Sequence, residues 1–213
     1  PIQALIGDMH GLNTIKHQPA KIAAIEGHWQ NNPGEATPLI LFGIPNMDEE
    51  KTKYARQIPY LGSLILTHSL DKQVPALKEF PKDDRPNSLI VFWSFRIMVG
   101  LGMLMILVGV WGTWLRYKKK LYQSNLFLRF TFLMAPSGLI AILAGWFTTE
   151  VGRQPWVVYG IQRTRDAVSA HGEMHMSISL LIFFIVYGSV FGIGYAYMLK
   201  LIRKGAPEVQ DGN

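Results

Sequence analysis

No cysteine occurs among the 213 residues, which excludes disulfides, thiolate metal ligands and a cysteine nucleophile. Charge is scarce as well: Asp, Glu, Lys and Arg make up 17% of the chain, and three long stretches carry almost none. No internal repeat and no low-complexity tract is visible, so repeat architectures are excluded. There is no N-terminal signal peptide, and the first residue is proline rather than methionine. The expectation is a processed product or the C-terminal part of a longer protein. What remains is 49% hydrophobic with a formal charge of +6. Because the apolar residues pool in runs, the basic excess points to cytoplasmic loops of a membrane protein, not to nucleic-acid contact.

The dominant run is Leu89 to Leu115, 27 residues with one formal charge, Arg96. As a helix it is ~40 Å long, enough to cross a hydrocarbon layer of ~30 Å. A second run covers Phe130 to Thr149, with a kink expected at Pro136-Ser137-Gly138. A third, Met176 to Leu199, has 24 uncharged residues. The fold class is therefore an all-α integral membrane protein, a helical bundle segment with three transmembrane helices and a large external N-terminal loop region. Arg116, Lys118, Lys119 and Lys120 follow the first run, and Lys200, Arg203 and Lys204 follow the third. By the positive-inside rule, 116–129 and the tail 200–213 are cytoplasmic, while 1–88 and 150–175 are external. Between these lie the spans 89–115, 130–149 and 176–199.

Residues 1–14 read as the end of a preceding helix that turns polar at Gly7-Asp8. Pro19 suits a helix start, and Ala20 to Trp29 is rich in helix formers. Lys21 and Glu26 are five apart, ~140° around a helix, so they are not the usual i,i+4 pair. Taken alone, this is a short surface helix with two solvated charges. Asn31-Asn32-Pro33-Gly34 is a turn cluster, and Tyr60 to Leu70 is an apolar stretch too short to span, suited to a re-entrant or interfacial segment.

An arginine inside a span is expensive and faces a bundle interior with a partner, or snorkels to the headgroups. Two residues on, Met98 carries a soft thioether, able to ligate haem iron and equally suited to filling a gap. Arginine matches a haem propionate, because its planar fork fits a carboxylate. In the proposed topology Arg96 and Met98 lie near the outer end of the first span, and Trp146, Glu150 and Arg153 near the outer end of the second. Trp146 and Glu150, i and i+4, share a face. The six histidines, His10, His17, His28, His68, His171 and His175, fall in loops or at segment edges.

Three stretches, GDMHGLNTIKHQPAKIAAIEGHW, FWSFRIMVGLG and EVGRQPW, resemble motifs of subunit I of the cytochrome bd-type quinol oxidases. The similarity runs from Pro1 to the tail, with a short loop like that of the cyanide-insensitive branch. The resemblance implies oxidation of quinol and reduction of oxygen to water, using a low-spin haem b, a high-spin haem b, and a haem d or a second high-spin haem b. It implies that Lys21 and Glu26 belong to the quinol site and that Met98 ligates the low-spin haem, supported by Arg96. It implies that Glu150 belongs to the high-spin pair and ligates one iron, with Arg153 and Trp146 among the haems. Expected partners are further N-terminal helices of the same subunit, subunit II, a small accessory subunit, quinol, oxygen and the bilayer of a bacterial inner membrane. The family's histidine ligands lie in that N-terminal half, so these 213 residues alone are expected to be inactive, with an open groove lined by Arg96, Met98, Trp146 and Glu150. Two other readings stay open: a cytochrome b-like quinone-binding electron carrier without oxygen chemistry, and a transporter using Arg96 and Glu150.

Overall fold

In a computed structural model, residues 2–32, 35–70, 72–167 and 172–205 are described. The Pro33-Gly34 part of the expected turn, His171 and the tail beyond residue 205 lie outside them. The chain divides into two units, 1–167 and 168–213.

The first unit begins with α1 (Ile2–His17) and α2 (Pro19–Glu26). The polar residues from Gly7-Asp8 onward continue α1, so His10 is mid-helix rather than in a loop or at a segment edge. Pro19 opens α2, where its missing N–H costs no hydrogen bond. Gly27 closes it at φ 62°, its N–H reaching the carbonyls of Ala23 and Ala24. A Cβ at Gly27 would also lie 2.8 Å from Phe92 Cδ2, so both the dihedral and the packing require glycine.

The expected surface helix is instead the centre of the unit. Ala20, Ile22, Ala23, Ala24, Ile25 and Glu26 are all buried. The three alanines let neighbouring backbones approach, and a core forms around Ile22, Ile25, Trp29, Val74, Leu77 and Val91. Two antiparallel strands follow, β1 (Leu39–Asn46) and β2 (Lys51–Ile58), in a register from Leu39–Ile58 to Asn46–Lys51 with two irregularities. The fold is mostly helical as expected, and this hairpin is an addition within the region read as loop. The β2 side chains are largely exposed, so no period-2 apolar signal marks the strand. The stretch read as re-entrant contains α3 (Leu61–Thr67). It is pinned by Ser63 N–H donating to Thr37 O (3.0 Å) and Thr37 N–H donating to Ser63 Oγ (2.7 Å).

After two 3₁₀ turns comes α4 (Ser88–Tyr117), capped by the Asn87 side chain, which accepts from Ile90 N–H. The second apolar run is two helices, α5 (Asn125–Leu133) and α6 (Ser137–Gly152), separated by a turn that contains Pro136. The two helices packed most extensively together are α4 and α6, joined by a buried 2.9 Å hydrogen bond between the hydroxyls of Ser94 and Thr148. Phe127 of α5 meets Trp111 of α4 edge-on, ring centroids 5.2 Å apart. Beyond α6, the Gln154–Pro155 bond is cis, and β3 (Trp156–Val158) pairs with β4 (Gln162–Arg163). Arg163 donates to Asp84 at 2.5 Å, so the segment after α6 meets the segment before α4.

The second unit contains α7 (Glu173–Lys204), 32 residues with no Asp, Glu, Lys or Arg between Glu173 and Lys200. Phe183, Tyr187 and Phe191 form an i,i+4 ladder with centroids 4.2 and 5.9 Å apart. Three helical segments of the described residues, 82–117, 125–152 and 173–204, are long and apolar enough to cross a membrane.

Candidate functional site

The wide angle between Lys21 and Glu26 sends them to different neighbours. Glu26, 5% exposed, turns toward α4. Its Oε2 stands 3.9 Å from Arg96 Nη2, close enough for attraction and too far for a hydrogen bond. That oxygen is buried and accepts no hydrogen bond. Burial raises the Glu26 pKa to about 7, the Arg96 charge opposing only part of the rise.

Arg96 spends its donors on main chain. Nη1 donates to Ile25 O (2.6 Å) and Phe92 O (3.2 Å). Nε donates to Ile40 O (3.0 Å) and Leu41 O (3.1 Å), and Nη2 also donates to Ile40 O. The guanidinium lies 3.4 Å from the Phe92 ring centroid. Of the two fates expected for an intramembrane arginine, it takes the interior one. It ties the end of α2 and the start of β1 to α4, and it does not face an open groove.

Met98 follows on α4. Its sulfur packs on α6, where a Cβ at Gly145 would come within 2.8 Å of Sδ. Trp146, the next residue, is 59% exposed and tilts against Phe147. One turn on, Glu150 accepts from Arg153 Nε at 2.9 Å and also from Nη2. Lys21 lies over the end of α6, where a Cβ at Gly152 would be 3.0 Å from its Cγ and 3.1 Å from its Cε. Burial pulls the Lys21 pKa down, the Glu150 carboxylate pulls it back up, and Arg153 lowers it again.

Two groups result: Glu26 with Arg96, and Lys21 with Glu150 and Arg153. Of the four residues expected to line an open groove, Arg96 is taken up by main-chain carbonyls and Met98 by the α4–α6 contact, whereas Trp146 is exposed and Glu150 partly so. Gly145 and Gly152 were not singled out by sequence reasoning. Their only sequence signal is glycine inside a helical pattern, which is ambiguous without knowing what lies opposite.

The end of α2 also borders a cleft of about 430 Å³ lined by Gly27, His28, Thr37, Glu49 and Lys78 among others. There His28 Nε2 and Asn31 Oδ1 are 2.8 Å apart, and Asn31 Nδ2 donates to Val74 O and to Glu79 Oε1. Burial lowers the His28 pKa. Among the described residues no group of three or more His, Asp and Glu could hold a metal ion.

Residues 1–206 match the family described as cytochrome bd terminal oxidase subunit I. The cytochrome bd ubiquinol oxidase subunit 1 of Bacillus subtilis (strain 168) is 32% identical over 212 residues, covering 95% of this chain and 45% of that one. The cytochrome bd-II ubiquinol oxidase subunit 1 of Escherichia coli (strain K12) is 30% identical, over 96% of this chain and 52% of that one. The solved bd oxidase from Geobacillus thermodenitrificans superposes with a TM-score of 0.74 at 30% identity, covering 95% of this chain and 46% of that chain. The chain spans about half the length of these relatives. Its three membrane-capable helices and this kinship make it a multi-pass membrane protein. By the match across residues 1–206, the chain belongs to the cytochrome bd terminal oxidase subunit I family.

Proposed function

We propose that this chain serves in the catalytic, haem-bearing subunit of a bd-type terminal oxidase, which oxidises quinol and reduces oxygen to water in the respiratory chain of a bacterial inner membrane. The observation that carries the reading is the seat of α2 against both α4 and α6. It sets Glu26 toward Arg96 and Lys21 toward Glu150 and Arg153, which supports reading the first of each group as a quinol residue adjoining residues read as haem-side.

The donor set suits haem. The Met98 thioether on α4 would be a soft ligand and the Glu150 carboxylate on α6, held by Arg153, a hard one, while Arg96, its donors given to main-chain carbonyls, would hold α4 in place beside the haem. Haem, when bound, supplies the one-electron carriers and the oxygen-reducing centre. In this reading Met98 would ligate a low-spin haem b and Arg96 would support it. Glu150, held by Arg153 and flanked by Trp146, serves a high-spin haem b or its neighbour, a haem d or second haem b. Subunit II and a small accessory subunit complete the assembly.

Lys21 and Glu26 handle the quinol. A quinol must lose protons as it delivers electrons singly. Glu26, with an unsatisfied Oε2 and a pKa near 7, is suited to take a proton from a quinol hydroxyl. Lys21, a cation with a restrained stem, is suited to hold a quinol oxygen. Glu26→Ala in the assembled oxidase tests this. Quinol oxidation is expected to fall while all haem bands and turnover with an artificial one-electron donor persist. Equal loss with both donors refutes the quinol assignment, and a pyridine-haemochrome assay free of haem refutes the oxidase reading.

A further inference from the structure

We propose that Gly152 is a positioning residue for Lys21, the seat across which the lysine stem reaches the Glu150–Arg153 pair. The inference rests on the reading of Lys21 as a quinol residue and goes beyond it by naming what holds Lys21 in place.

Gly152 is buried at the last turn of α6, and α2 packs against that helix. A Cβ built there would lie 3.0 Å from Lys21 Cγ, 3.1 Å from Cε and 3.4 Å from Cδ. Three successive parts of one stem therefore run flat across the glycine. Contacts at 3.0–3.4 Å are tighter than ordinary Cβ packing, so any larger residue must push the stem aside. The φ of Gly152 is not in the left-handed region, and its backbone alone does not demand glycine. What demands it is the lysine. A lysine stem has four rotatable bonds, and one lying free in a solvent-facing loop would sample many headings. Laid along Gly152, the stem is restrained over the last turn of α6, within the electrostatic reach of Glu150 and Arg153.

The test uses the assembled oxidase with Gly152→Ala, in backgrounds bearing Lys, Met or Ala at position 21. Methionine keeps an unbranched stem without the charge, and alanine removes the stem. With Lys21, Gly152→Ala is expected to raise the quinol KM roughly fivefold with a smaller change in kcat, because displacement of a binding group by tenths of an ångström is felt in orientation. Haem content and the reduced-minus-oxidised spectrum should not change. Haem retention on heating should fall with Lys or Met at position 21 and be unaffected in the Lys21→Ala background. If Gly152→Ala prevents assembly, Lys21→Ala is expected to restore it. Equal effects of Gly152→Ala in all three backgrounds, or no restoration, overturn the proposal. If Lys21→Ala by itself leaves quinol KM and kcat intact, the quinol role of Lys21 fails and this inference falls with it.

Discussion

Glu26 and Met98 show how neighbours decide what one side chain can do. Glu26 sits in a site that keeps its carboxyl protonated up to about pH 7. The folded protein thus binds this proton more tightly than the unfolded chain does. The contribution to stability falls as pH rises from the ordinary carboxylate range to about 7 and levels off above that. The proton-accepting form is populated on the alkaline side. Quinol oxidation is therefore expected to climb through pH about 7, and Glu26→Gln should remove that limb while lessening the pH dependence of stability. A pH–rate profile of the variant with an unchanged acid limb would exclude Glu26. Met98→Leu keeps the volume against Gly145 and removes the sulfur. Its expected outcome is normal insertion with loss of the low-spin α-band, read in a reduced-minus-oxidised spectrum; an unchanged band would exclude Met98 as ligand.

At the scale of elements, the α4–α6 pair matters most, because Met98 and Glu150 ride on its two members. A pair of hydroxyls, Ser94 and Thr148, crosses their buried interface, and Thr148 also donates to Ala144 O at 2.9 Å. In a membrane interior such interhelical bonds are worth about 0.6 kcal/mol on average. A double-mutant cycle with Ser94→Ala and Thr148→Val should give a coupling of that order in a detergent unfolding titration, and strictly additive effects would exclude the bond. The hairpin teaches the opposite lesson about legibility. β1 contributes an apolar run with Ile40 buried, but β2 is mostly exposed and carries Lys51, Lys53 and Arg56, and its ladder is main-chain hydrogen bonding that side chains do not advertise. The value of the hairpin to the site is also main-chain: the carbonyls of Ile40 and Leu41 receive Arg96.

At the scale of the whole molecule, these 213 residues contain no cysteine, so a cysteine introduced among them is a thiol that can be followed by labelling against the parent protein. Gln57, exposed on β2, and Gln123, exposed in the turn between α4 and α5, are expected on opposite sides of the membrane. In intact cells or right-side-out vesicles, a membrane-impermeant maleimide should label Gln57→Cys directly and Gln123→Cys only after permeabilisation. Labelling of both from one side would overturn the assigned orientation.

The chain's own residues determined the three spans, since a run's apolar length is a local, additive property. They also determined the start of α2 through Pro19, and the motif segments that carry the family, whereas the helix-forming stretch read as far as Trp29 stops at Glu26, capped by Gly27. Tertiary structure decided the rest. That α2 is a core element, that Lys21 and Glu26 part toward α6 and α4, and that Arg96 binds carbonyls from distant segments all depend on which surfaces meet. Gly145 and Gly152 show the physical reason most clearly. Each matters for the space its missing side chain leaves to Met98 or Lys21, and that space exists only once two helices far apart in sequence have packed.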